Sequence, residues 1–64
     1  MPNITVELLR GRTVEQRRAF VAAVTEAAEE HLGAPPERTR IRLSEVGDNE
    51  VAVGGVFVPP LDAL

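Results

Sequence analysis

Cysteine, lysine, tryptophan and tyrosine are all missing from these 64 residues, and histidine occurs once. Without cysteine there is neither a disulfide nor a thiolate zinc site, and His31 alone cannot build a metal centre. The two phenylalanines are the only aromatics, so there is no platform on which nucleic-acid bases would stack. A net charge of −3 and a pI near 5.0 also argue against a nucleic-acid partner. No apolar run approaches the ~20 residues of a membrane span. The chain does not open on a basic stretch followed by an apolar one, so no secretory signal is expected. The expected compartment is the cytoplasm.

These absences leave a stability problem. Hydrophobic residues make up 44% of the chain, but almost all are aliphatic and small. A single domain of this length, taken here as residues 1–64, buries only about 60% of the surface its unfolded form exposes. Disulfides and a structural metal are unavailable. Self-association is the remedy left, and a homo-oligomer is expected on that ground.

What is present reads as strand, helix, strand. In residues 3–9, Ile4, Val6 and Leu8 alternate with Asn3, Thr5 and Glu7, the period of a half-buried strand. Arg10-Gly11-Arg12 interrupts the alternation. Thr13 is a helix N-cap, and Gln16 three residues later completes a capping box. Val14, Phe20, Val21, Val24, Ala27, Ala28 and Leu32 follow at helical spacing and define one apolar stripe. Gly33 and Pro35-Pro36 end the helix, which is predicted over 14–32. A second strand is predicted from about Thr39, with Ile41 and Leu43 on one side and Arg40, Arg42 and Ser44 on the other. Gly47-Asp48-Asn49 marks a turn. The apolar pieces 51–53 and 56–58 flank Gly54-Gly55 and suggest a short final strand or hairpin, with a tail over 61–64. A strand, a long helix and a second strand form a βαβ unit, in which the two strands run parallel. The fold class is therefore α/β. One helix leaves the second sheet face and both edges open, a further reason to expect assembly.

The charges are unevenly placed. Residues 1–25 carry a net +2 and residues 26–64 a net −5. Every basic residue is arginine, whose planar fork binds carboxylates in bidentate fashion where lysine does not. Arg17 and Arg18 open the helix while Glu26, Glu29 and Glu30 lie late in it, against the macrodipole. Such an arrangement is either a solvated face, part of an anion site or one side of an intersubunit salt bridge.

No serine-histidine-aspartate set, P-loop or dinucleotide fingerprint occurs. The chemical candidate is Pro2. Removal of Met1 would expose a secondary amine on a rigid ring at the start of a strand. Burial and nearby arginines both disfavour its ammonium form, lowering its pKa toward neutrality, where a general base works best. With Met1 retained, the same nitrogen is a tertiary amide without basicity.

Met-Pro opening a strand, Gly11-Arg12-Thr13 with Glu15-Gln16 leading into a helix, Arg40 beginning a second strand and Val53-Gly54-Gly55 together resemble the 4-oxalocrotonate tautomerase family, over residues 2 to about 57. The resemblance implies a cofactor-independent tautomerase assembled as a hexamer, with active sites built from neighbouring subunits. Pro2 would move a proton between carbons of a small unsaturated 2-keto or 2-hydroxy acid. Arg12 would bind a substrate carboxylate. Arg40 would hold the keto or enol oxygen and the nearer carboxylate, where developing negative charge needs a cation. No metal or cofactor is implied. Val51 would line the substrate pocket at a position the family commonly fills with an aromatic residue, and the ending 59–64 lacks the family's frequent basic character.

Two alternatives accompany this reading. A protonated Pro2 would instead assist hydration, as in dehalogenation of a haloacrylate. A non-catalytic binding module, or an inactive subunit of a mixed oligomer, would use no proline chemistry. Arg42 would replace Arg40 under a shifted register, and Asn3 and Ser44 are further pocket candidates. Phe20 and Phe57 are read as core or interface, His31 as structural or solvated, and Glu45 and Glu50 as solvated or paired.

Overall fold

The seven residues of the first strand, β1 (Asn3–Leu9), and those of the second, β2 (Arg40–Val46), pair in parallel, joined by the 19-residue helix α1 (Val14–Leu32). The computed structural model describes residues 2–59. The expected βαβ unit is thus observed, and the register sets Asn3 opposite Arg40 and Leu9 opposite Val46. Backbone bonds extend the ladder at both ends: Arg40 N–H donates to the Pro2 carbonyl at 3.0 Å, and Arg10 N–H to the Val46 carbonyl at 3.1 Å.

The helix bounds agree with the sequence signals. The Thr13 hydroxyl accepts from Gln16 N–H at 3.1 Å, and the Gln16 side chain accepts from Thr13 N–H at 2.9 Å. This capping box satisfies two amide groups that the first turn leaves unpaired. At the other end Gly33 takes φ 67°, a left-handed conformation that glycine reaches without steric cost. Gly33 N–H then bonds the Glu29 carbonyl and Ala34 N–H the Ala28 carbonyl, so the left-handed glycine caps the last turn. A 3₁₀ turn at Pro36–Arg38, not anticipated from the sequence, leads into β2. Proline suits its first position because the missing N–H would be unpaired there in any case.

The final strand resolves into a hairpin of β3 (Ala52–Val53) and β4 (Val56–Phe57). Gly54 (φ 62°) and Gly55 (φ 81°) form its two-residue turn. Positive φ at both central residues is the type I′ geometry, whose twist matches that of the flanking strands. The tail expected over 61–64 lies outside the described residues.

Burial is sparse. Among the described residues, the buried apolar side chains are Ala28 and Ala34. Ile4, Val6, Leu8, Ile41 and Leu43 occupy one sheet face half-buried, while Asn3, Thr5, Glu7, Arg40 and Arg42 on the other are exposed. The helix covers less of its apolar surface than its spacing suggested. Val21, Val24 and Ala28 are shielded, but Val14, Phe20 and Leu32 are exposed by 42–70%. The physical reason is width: two strands about 4.8 Å apart make a ribbon narrower than the apolar stripe above it.

The consequences appear in size. The accessible surface is 4889 Å², against about 4,000 Å² for a folded monomer of this mass. The radius of gyration is 14.3 Å, against about 11 Å for a compact chain of this length. The chain alone is a slab of 40 × 25 × 14 Å with Val53, Val56 and Phe57 more than half exposed at its hairpin.

Candidate active site

Pro2 is half-buried, and its carbonyl is tied to Arg40 N–H. The register therefore brings Arg40, rather than Arg42, beside the start of the chain. Asn3 lies directly opposite Arg40. Alternation along the strands places Arg40 and Asn3 on the uncovered face and Pro2 with Ile4 on the other. Ser44 pairs with Glu7 near the far end and does not join this group.

Arg12 and Val51 are elsewhere in the same chain. Arg12 follows the C-terminal end of β1, where its Nη1 donates to the Leu9 carbonyl at 3.0 Å. Seven strand residues at ~3.3 Å each separate that end from Pro2 by roughly 20 Å. Val51, half-buried, follows the turn at 47–50 beyond the end of β2, and its carbonyl accepts from Val58 N–H at 2.7 Å. One chain thus sets Pro2 and Arg40 at one end of its ribbon and Arg12 at the other.

Arg12 borders a cleft of about 290 Å³ between helix and sheet, lined otherwise by Val6, Leu8, Gln16, Arg17, Phe20 and Leu43. Its floor is aliphatic and its cations come from the helix start. Gln16 and Arg17 are lining residues that sequence reasoning did not identify. From the sequence, Arg17 and Arg18 stand against the helix dipole, with a solvated face, an anion site or an intersubunit salt bridge as the open readings. Arg17 resolves part of that mismatch within the chain: its Nη1 pairs with Glu45 Oε1 at 3.4 Å. The alternation that sets Glu45 on the helix side of β2 was the available signal. Glu50 is also engaged, accepting from Gly47 N–H. His31 lies 3.8 Å from Glu30 at the exposed helix end, away from this cleft.

The tautomerase family model, described as "Tautomerase enzyme", matches this chain over residues 2–59, from the proline before β1 to the end of the glycine-turned hairpin segment. The chain belongs to that family and is a tautomerase, an isomerase. It is 46% identical over 55 residues to a "probable tautomerase" of Bacillus cereus, covering 86% of this chain and 90% of that protein. It is 44% identical over 55 residues to the 2-hydroxymuconate tautomerase of Bacillus subtilis, covering 86% and 89%. Among solved structures, a chain from a study of the 4-oxalocrotonate tautomerase isozymes of Methylibium petroleiphilum superimposes with a TM-score of 0.84 at 45% identity, covering 88% of each chain. Between the two readings the sequence left open, enzyme or binding module, the family decides for an enzyme. No helix among the described residues is long and apolar enough to cross a membrane.

Proposed function

We propose that this chain is a cofactor-independent tautomerase that uses the nitrogen of Pro2, freed by removal of Met1, on a small unsaturated 2-keto or 2-hydroxy acid. From a keto acid the neutral amine takes a proton from carbon, and the electron pair of that C–H bond moves into the conjugated system as a dienolate; from a dienol such as 2-hydroxymuconate it takes the hydroxyl proton and leaves the same dienolate. The resulting ammonium returns the proton to another carbon of the same molecule, so the base is regenerated and nothing is consumed. Charge builds on the keto oxygen in between, and the Arg40 guanidinium stabilises it there. Arg12 binds the remote carboxylate, and Val51 shapes the wall. Both guanidinium groups reach Pro2 from neighbouring copies, in a homo-oligomer that the family resemblance implies is a hexamer. The reading includes a cytoplasmic location.

The observation that carries this reading is the hydrogen bond between Arg40 N–H and the Pro2 carbonyl, which fixes a half-buried proline at the head of the sheet. Assembly is supported by the excess accessible surface, by the exposed hairpin and by the separation of Arg12 from Pro2. The similarity to a 2-hydroxymuconate tautomerase supports the substrate class.

Intact mass spectrometry should give a chain lacking Met1, and that chain should convert 2-hydroxymuconate. Pro2→Ala should slow the conversion by orders of magnitude while light scattering shows the assembly unchanged. Turnover at the original rate in Pro2→Ala would reject proline as the base.

A further inference from the structure

The two segments that carry Arg12 and Val51 are fastened to each other by one cluster. Arg10 stands two residues before Arg12, and its N–H forms the last backbone bond beyond the parallel ladder, to Val46 at 3.1 Å. Its Nη2 donates to Asp48 Oδ2 at 3.0 Å, an ion pair linking positions 38 apart in the chain. Asp48 belongs to the turn at 47–50, which is closed by the Gly47 N–H donating to the Glu50 carboxylate. A Cβ on Gly47 would lie 2.7 Å from Glu50 Oε1 and 3.9 Å from Arg10 Nε, so the Arg10 side chain runs close to the turn. Val51 comes immediately after. Past Leu9 and Val46 the strands no longer pair, and on each arm the backbone takes a left-handed conformation, at Gly11 (φ 121°) and Asn49 (φ 61°). The Arg10–Asp48 pair bridges the arms at that point.

We propose that Arg10 and Asp48 are positioning residues, whose ion pair sets the spacing between the Arg12 guanidinium and the Val51 side chain and thereby tunes the pocket for substrates with a second, remote carboxylate. This rests on the active-site reading above. Neither residue touches substrate. The pair acts by holding one arm against the other, so its loss weakens binding rather than chemistry. Side-chain exposures of 62% and 45% keep the effect small.

The test measures KM and kcat separately for 2-hydroxymuconate, a dicarboxylate, and phenylenolpyruvate, a monocarboxylate. Arg10→Gln and Asp48→Asn should each raise KM for the dicarboxylate about two- to five-fold, the range of an exposed ion pair, with kcat retained. The monocarboxylate KM should move less. The double variant Arg10→Asp with Asp48→Arg should bring the dicarboxylate KM back, a recovery that general destabilisation would not produce. An unchanged KM in both single variants, a loss confined to kcat, or no recovery in the double variant overturns the proposal. Pro2→Ala is run alongside. If it keeps full turnover, the active-site reading falls and the clasp falls with it. If it is inactive while the double variant fails to recover, the clasp alone is wrong.

Discussion

Two crippled variants should repair each other when mixed. Pro2→Ala chains keep Arg12, and Arg12→Ala chains keep Pro2. Within one chain these residues lie at opposite ends of β1, roughly 20 Å apart and beyond side-chain reach. A site that uses both residues, as proposed, therefore draws Pro2 from one copy and Arg12 from another. In a random one-to-one assembly, the proline is intact in half of the sites and the arginine, independently, in half. About a quarter of the sites should be complete, and kcat/KM should reach about a quarter of the unsubstituted value. If both residues served the same site from one chain, every site in the mixture would lack one of them. Activity would then not exceed the mean of the two parents. The assay is the initial rate on 2-hydroxymuconate at low concentration, after the two variants are co-expressed or refolded together. Mixing the two preformed assemblies without exchange provides the baseline. Activity at the parental mean after co-assembly, with light scattering confirming mixed oligomers, would refute the shared site.

Other perturbations test the scaffold. Thr13→Ala removes half of the capping box and should cost about 1 kcal/mol, read by thermal unfolding at fixed protein concentration because assembly makes the midpoint concentration-dependent. Gly55→Val forces a branched side chain onto φ 81° and should cost about 1–2 kcal/mol by urea unfolding, whereas Gly55→Asn should be milder. Phe57→Asp places a charge on the exposed hairpin and should shift light scattering toward smaller species; an unaltered mass would show that the hairpin is not an assembly surface.

Local signals were the legible part of this chain. Alternation gave β1, and Thr13, Gln16 and Gly33 bounded the helix, because each acts within a few residues of itself. Gly54-Gly55 marked the hairpin for the same reason. The shielded side of the helix was read too broadly, since periodicity reports which residues are apolar and not how wide the neighbouring sheet is. Phe20 illustrates this, and Phe57 on the hairpin is likewise exposed: of core and interface, the chain alone excludes core. For the candidate site, residue types were readable but their company was not. The backbones of Pro2 and Arg40 meet through a strand register that no local pattern specifies. Arg17–Glu45 and Arg10–Asp48 join positions separated by 28 and 38 residues, and arise only once the parallel ladder is set.

Residues that precede a first strand ordinarily fray, but Pro2 is pinned through its carbonyl to the second strand. Its ring already locks the torsion on the nitrogen side. With Met1 removed, as proposed, the amine would be carried by the sheet as stiffly as a side chain in mid-strand, and its lone pair would keep one heading without a search. A peptide of the same opening residues would have the same functional group but not that fixed bearing, and should be a far poorer proton carrier than its basicity suggests.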